Sequence, residues 1–450
     1  MDDAAHRAPR VVADDARRHG RRDGVARRPG DRQHRRRARP AARARRAAAV
    51  HLLRRLSAHR GAAHRRHRAL ARAGRQPDRA RRAPRGAGLT MRVLLAGGGT
   101  AGHVNPLLAT AQRLRERHPG AELVVLGTRE GLERELVPRA GLELATIEKL
   151  PFPRRPDLAA LRFPGRWRRA VAEVRALIRE RRIEVVVGFG GYASAPAYRA
   201  ARLERVPIVI HEANAKPGMA NLLGARWTEF VGISYRSTRL PGELVGMPLR
   251  PEITALDRAG LRAEALAELG LDAERPTLLV TGGSQGARSI NRAIVAAAAD
   301  IVDAGWQILH LSGGRQTDFE PATVPHYVAI EYLDRMHLAL AAADLVVCRA
   351  GSLTVSELMA VGLPAIYVPL PYGNGEQGLN AADQVAAGGA ELVADADFTA
   401  EWVRARLVPL LRDADRLAAM ASASAGAGAS DGSDRMCDLI ERAAATRRQP

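Results

Sequence analysis

Leu94-Leu-Ala-Gly-Gly-Gly-Thr-Ala-Gly-His-Val-Asn-Pro106 is an apolar run that breaks into glycines and resumes with helical periodicity. A junction of strand, glycine turn and helix aims unpaired backbone N–H groups and the positive end of a helix dipole at one point, which suits an anion. It also marks the first unit of a doubly wound α/β fold. His103 at the mouth of the turn is the odd residue, because holding phosphate does not require an imidazole.

From Met91 onward, short β-rich runs alternate with amphipathic helical stretches. Strands are predicted at 92–96, 122–126, 142–147, 184–187, 207–210 and 230–233, and in a second series at 277–281, 307–311, 327–330, 345–348, 365–368 and 391–393. Runs that are apolar throughout belong to parallel sheets covered by helices on both faces. The break between the series falls after Val245-Gly-Met-Pro-Leu-Arg250, where Pro251 opens a polar helical segment. The expected fold class is therefore α/β, with two Rossmann-like domains, 91–252 and 253–450, and the last helix free to pack back on the first domain. Glycines gather at the carboxyl ends of strands in both halves: Gly97 to Gly102, Gly188-Phe-Gly-Gly-Tyr192, Gly282-Gly-Ser-Gln-Gly286 and Gly351. Ligands of open parallel sheets sit beyond those ends. Two such edges across a cleft suit a two-substrate transferase, with Thr100 and Ser284 adding hydroxyl donors for a pyrophosphate.

The formal charge of +22 suggests a nucleic-acid or membrane-surface binder. Its location reverses that reading. Residues 1–90 hold 28 Arg and 7 Asp with no Lys or Glu, which leaves 42 basic and 41 acidic side chains in residues 91–450. No nucleic-acid partner is expected of this nearly neutral body. Residues 1–90 also lack Phe, Tyr, Trp, Ile, Asn and Cys, so they cannot bury enough apolar surface to offset the entropy of ordering. They are expected to be a low-complexity Arg/Ala-rich extension, disordered or translated from a start assigned upstream of Met91. A basic arm or a targeting peptide fits less well, as no apolar core follows the charges. Cys348 and Cys437 are too few for a disulfide framework and lack metal-ligand spacing, which points to the cytosol. No run of about 18 apolar residues predicts a membrane span.

Gly97-Gly-Gly-Thr-Ala-Gly102 formally satisfies G-x-G-x-x-G. A dinucleotide site also wants an acid at the end of the second strand, and here that strand closes with Leu126-Gly-Thr-Arg129. A nicotinamide or flavin enzyme is therefore disfavoured, and neither a cofactor nor a metal is expected.

GGGTAGHVNP (97–106, with Leu94 to Ala96 before it), GFGGYASAP (188–196), HEAN (211–214), GMPLR (246–250), TGGSQGARSIN (281–291), CRAGSLTVSE (348–357) and EQGLNA (376–381) occur in one order over about residues 91–445. Together they resemble the bacterial cell-wall N-acetylglucosaminyltransferases that convert lipid I to lipid II, the MurG-type members of glycosyltransferase family 28. The resemblance implies a GT-B fold and an inverting, metal-independent transfer from UDP-N-acetylglucosamine. The acceptor would be the C4 hydroxyl of MurNAc in undecaprenyl-pyrophosphoryl-MurNAc-pentapeptide, the product serving peptidoglycan synthesis and hence cell shape and division. His103 matches the family's general base, a role for which imidazole has a suitable pKa; the nearby helix terminus is expected to keep it unprotonated. By the same resemblance the UDP-GlcNAc pocket comprises Thr100, Ala101, Gly102 and Asn214 from the first half. The second half would supply Arg250, Ser284, Leu333, Ser352, Leu353, Thr354, Val355, Ser356, Glu357 and Gln377, with Leu333 at uracil, Glu357 at ribose and Gln377 at the sugar. Ser352 and Glu357 also read as helix capping. Ala101, Ala213 and Ser352 depart from the common family residues, but all are small, so they bear on sugar selectivity and not on the reaction class. Another GT-B enzyme with a lipid or natural-product acceptor is the nearest rival, disfavoured by GGTAGH and GFGGY. A UDP-sugar-binding regulator would have no use for His103.

Between Lys149 and Arg169, seven cations interleave with Phe152, Leu158, Leu161, Phe163 and Trp167. Apolar groups beside cations favour an anionic bilayer. A loop carrying Phe152, Arg154, Arg155, Leu161, Arg162, Phe163 and Arg166 is expected to touch the cytoplasmic face of the plasma membrane as a peripheral contact. The helix that follows, with Trp167, Ala170, Val171, Val174, Leu177 and Ile178 at helical spacing, is assigned to the core.

Overall fold

The computed structural model describes residues 91–153, 158–314, 316, 319–373, 375–428 and 430–447. The extension 1–90 and the membrane candidates Arg154 and Arg155 lie outside the described residues. Among the described residues, seven strands form one parallel sheet: β1 (Arg92–Ala96), β2 (Glu122–Thr128), β3 (Glu143–Ile147), β4 (Val185–Gly188), β5 (Ile208–Glu212), β6 (Val231–Ile233) and β7 (Glu243–Leu244). Their order is β3-β2-β1-β4-β5-β6-β7. Six more, β8 (Thr277–Thr281), β9 (Gln307–Leu311), β10 (Tyr327–Ile330), β11 (Leu345–Cys348), β12 (Ala365–Tyr367) and β13 (Ala390–Leu392), form a second parallel sheet in the order β10-β9-β8-β11-β12-β13. In each sheet the chain winds one way, returns to the middle and winds the other way. The reversals fall between β1 and β4 and between β8 and β11, where an open sheet places its ligands.

The strands explain their own burial. Along β1, Leu94 and Ala96 join one core while Val93 and Leu95 join the core on the opposite face; Val124 and Leu126 against Leu123 and Val125 repeat this in β2. The second sheet divides in the same way, Leu279 to one side and Leu278 and Val280 to the other. Period-two alternation into two apolar layers needs strands with no polar face. The predicted strands appear with shifts of one or two residues at their ends. β7 was not anticipated, being two residues long beside Pro241-Gly242.

The last helix, Gly432–Arg447, places Met436, Cys437, Leu439 and Ile440 in the core under β1, β2 and β4. Polar contacts line its edge: ion pairs from Arg113 to Asp434 at 2.7 Å and Arg117 to Asp438 at 2.6 Å, and a hydrogen bond between His118 and Glu441 at 2.8 Å. The carboxyl end of the chain thus completes the first sheet's cover. Both cysteines are free and buried.

The segment expected as a membrane loop is corrected. One helix runs from Leu158 to Glu180, so Leu161, Arg162, Phe163 and Arg166 are helical and not in a loop. Phe163 is turned partly into the core with Trp167 and Leu177, and Phe152 closes an aromatic cluster with Phe163 and Trp167, ring centroids 5.6 and 6.0 Å away. Arg166 is held by Glu148 at 2.8 Å. Leu158 and Leu161 face outward, 70% and 78% exposed, and Phe152 keeps 37% of its surface exposed. No helix among the described residues is long and apolar enough to cross a membrane.

Candidate active site

β1 and β4 end side by side, and each runs into glycines. Ser194 Oγ, at the start of helix Ser194–Leu203, lies 2.9 Å from Ala96 O and 2.7 Å from Gly190 O, which ties the two turns together. After the first turn Thr100, in extended conformation, starts the helix Ala101–Arg117, its carbonyl accepting from His103 N and Val104 N at 3.1 Å each. His103 is therefore in the first helical turn at the sheet's reversal point. Its ring is half-buried, with Nδ1 3.2 Å from Gly98 O and 3.3 Å from Thr100 Oγ1. A carbonyl can only accept, so the Gly98 contact calls for a proton on Nδ1 and a lone pair on Nε2. The Cδ2–Nε2 edge faces Gly190, where a Cβ would sit 3.1 Å from Nε2. Burial holds the imidazole below its ordinary pKa, while Glu212, the Gly98 carbonyl and Glu133 pull it partly back. Burial is the leading cause of that depression, and it favours the neutral ring.

Two buried carboxylates stand behind this turn. Glu212, at the end of β5, accepts from Asn214 N at 2.9 Å, Gly218 N at 3.0 Å and Asn221 Nδ2 at 2.9 Å, and so shapes the HEAN loop. Glu133 opens the helix Glu133–Arg139 and accepts from Gly99 N at 2.9 Å, Thr128 N at 2.7 Å and Thr128 Oγ1 at 2.8 Å. The first glycine turn is thereby less of an anion cradle than its sequence suggests. The Gly99 amide already serves a carboxylate, whose charge repels phosphate from that side. Glu133 also fills the space beside Gly98, Gly127 and Gly131, where any Cβ would meet its side chain. His211 is buried, its Nε2 3.0 Å from Gly246 O, and burial pushes its pKa down to about 4.

In the second half, β8 ends at Gly282-Gly283-Ser284, with Ser284 exposed. Beside it β11 leads through Arg349-Ala350-Gly351 into the helix Ser352–Ala360. Ser352 and Glu357 are buried, and Leu353, Thr354 and Ser356 half-buried. Val355 has its side chain in the core and its N–H on Gly351 O at 2.9 Å, so it supports the helix. Glu357 Oε1 meets Arg250 Nη2 at 3.4 Å. Burial raises the Glu357 pKa, with Arg250 opposing. Gln377 accepts from Leu370 N at 2.9 Å, which orients its amide. Leu333 is half-buried against the core in the segment after β10.

The structure joins these pieces through residues that sequence reading missed. Tyr235 OH donates to Ser352 O at 2.7 Å and lies 3.1 Å from both Ser352 Oγ and Ser356 Oγ. Ser352 Oγ donates to Ala213 O. Asn380 accepts from Ala215 N at 2.9 Å and donates to Asn214 Oδ1 at 3.3 Å. The HEAN loop, the Ser352 helix and the EQGLNA segment are therefore bonded together. Asn380 lay within a quoted motif, but Tyr235 carried no local signal.

The sequence profile of the glycosyltransferase family 28 N-terminal domain matches residues 93–233, and that of the family 28 C-terminal domain matches residues 277–436. The chain belongs to glycosyltransferase family 28. Its two sheets are the paired Rossmann-like halves of a GT-B fold. A UDP-N-acetylglucosamine–N-acetylmuramyl-(pentapeptide) pyrophosphoryl-undecaprenol N-acetylglucosamine transferase of Leifsonia xyli subsp. xyli is 61% identical over 348 residues, 77% of this chain and 97% of that protein. The transferase of the same name from Acidothermus cellulolyticus is 52% identical over 368 residues, 80% of this chain and 99% of that protein. Among solved structures, Acinetobacter baumannii MurG superposes with a TM-score of 0.65 at 26% identity, over 78% of this chain and 99% of that one.

Proposed function

We propose that this family 28 enzyme transfers N-acetylglucosamine from UDP-GlcNAc to the MurNAc C4 hydroxyl of lipid I and so forms lipid II. The observation that carries this is the 61% identity to a transferase of that name over nearly its whole length. In the chemistry we assign, His103 Nε2 takes the proton of the C4 hydroxyl while its oxygen attacks the anomeric carbon. The bond from that carbon to the UDP oxygen breaks on the opposite face, its electron pair leaving with UDP, and the configuration inverts. N–H groups at the start of helix Ser352–Ala360, with Ser284 and Arg250, would receive the diphosphate. Glu357 would hold the ribose, Leu333 the uracil, and Gln377 with Asn214 the sugar, while Thr100 to Gly102 close the pocket from the first half. The division into an acceptor domain, 91–252, and a nucleotide domain, 253–450, is part of the same reading.

Leu158 and Leu161, exposed next to Arg162 on the same helix, support a peripheral contact with an anionic membrane on its cytoplasmic face. The test is direct. The full chain, incubated with labelled UDP-GlcNAc and a lipid I analogue without added metal, should give a labelled lipid product. No labelled lipid, from protein shown to be folded, would overturn the proposal.

A further inference from the structure

We propose that Glu133 is a positioning residue for the base, acting on His103 through the single peptide group that joins Gly98 to Gly99. The inference rests on the reading of His103 as the base. Glu133 Oε2 accepts from Gly99 N at 2.9 Å, and His103 Nδ1 lies 3.2 Å from Gly98 O. These N–H and C=O groups belong to one planar trans peptide, so they point in opposite directions and fixing one fixes the other. A carboxylate on the N–H also polarises the carbonyl and strengthens it as an acceptor. The result is a relay from carboxylate through peptide to imidazole, which keeps the proton on Nδ1 and leaves Nε2 open beside Gly190.

The surroundings are built for this carboxylate. It is fully buried, and an unpaired buried carboxylate would be costly, yet three donors satisfy it. Burial pushes its pKa up, but the hydrogen bonds from Gly99 and Thr128 prevail and hold it below the usual carboxylate value. It is therefore ionised and can only accept. A Cβ at Gly98, Gly127 or Gly131 would run into its side chain. The charged or titratable groups that bear on His103 are Glu133 on one side and Glu212 and His211 from β5 on the other. Thr100 Oγ1, 3.3 Å from Nδ1, is the competitor. If the Gly98 carbonyl turns away, that hydroxyl can donate to a bare Nδ1 and shift the proton to Nε2, where the ring cannot act as a base.

Glu133→Gln tests the relay. Its amide oxygen can keep the Thr128 donors, but its NH2 then opposes the Gly99 N–H. Nitrogen NMR of the full chain with labelled histidine, His103 assigned by loss of its signals in His103→Gln, reads the tautomer. The wild type should show a protonated Nδ1 and a bare Nε2; Glu133→Gln should shift the population toward a protonated Nε2. Its kcat should fall on the order of 10- to 100-fold, part of what a positioned base supplies, with KM for UDP-GlcNAc within about two-fold. Thr128→Val removes one donor to the same buried carboxylate but leaves the Gly99 clamp, and should keep the wild-type tautomer. A wild-type His103 protonated on Nε2 would overturn the proposal whether or not the variant folds. So would an unchanged tautomer and kcat in Glu133→Gln. Failure of the wild type to transfer GlcNAc would sink the transferase reading instead, and the NMR result would still decide the relay.

Discussion

Replacing Gly190 with alanine adds a single methyl group beside the ring on which the mechanism depends. Gly190 has φ +89, and an alanine Cβ would lie 3.1 Å from both Nε2 and Cδ2 of His103 and 3.7 Å from Asn221 Nδ2. Two costs follow. Holding a side chain in that backbone region costs about 1–3 kcal/mol, which should appear as lost unfolding free energy. A hydroxyl that gives its proton to Nε2 must come within about 2.6–3.2 Å of it, and the methyl takes up part of that space. A displacement of about 1 Å at a reacting group can cost on the order of 100-fold in rate, so kcat for GlcNAc transfer should fall by about that factor. The UDP-GlcNAc pocket we assign lies mostly in the other half, so KM for the donor should stay within about three-fold. Urea unfolding gives the stability and steady-state transfer of labelled GlcNAc gives the kinetics. A folded Gly190→Ala protein with kcat within a few-fold of wild type would show that Nε2 does not face the acceptor.

Three further outcomes follow from the same geometry. His211 and His310 have pKa values pushed by burial from 6.5 to about 4. The unfolded chain therefore binds these protons first, and stability present above pH 6.5 is lost as pH falls toward 4, by about 3 kcal/mol per group; urea titrations at pH 7 and 4.5 measure this, and a flat profile would contradict it. Burial raises the Glu357 pKa, so its ionised form opposes folding at neutral pH. Glu357→Gln should raise Tm while raising KM for UDP-GlcNAc, and a lowered Tm would refute this. Glu at both Leu158 and Leu161 should abolish sedimentation with phosphatidylglycerol vesicles while leaving transfer to a soluble short-chain acceptor intact; unchanged sedimentation would locate the membrane contact elsewhere.

Most of the fold was legible because parallel strands buried on both faces leave apolar runs that no other element explains. Val93-Leu94-Leu95 and Val185-Val186-Val187 announce themselves in this way. The helix start at Leu158 was hidden by Pro164 and Gly165, which read as loop punctuation but sit inside the helix. His103 and the Ser352 helix stood out because chemistry confined to a strand end leaves a local motif. Glu133 did not, since its partner Gly99 lies 34 residues away; the glycines at 98, 127 and 131 that make room for it gain meaning only once they are brought together. Tyr235 and Asn380 were likewise invisible as partners, because their contacts exist only after the two halves meet.

The central claim is that His103 removes the acceptor proton, and a single-turnover measurement on His103→Ala tests it most directly. With donor and acceptor saturating, transfer should slow by about 100- to 10,000-fold while UDP binding by calorimetry stays within about two-fold of wild type. Transfer within a few-fold of wild type would show that the proton leaves by another route.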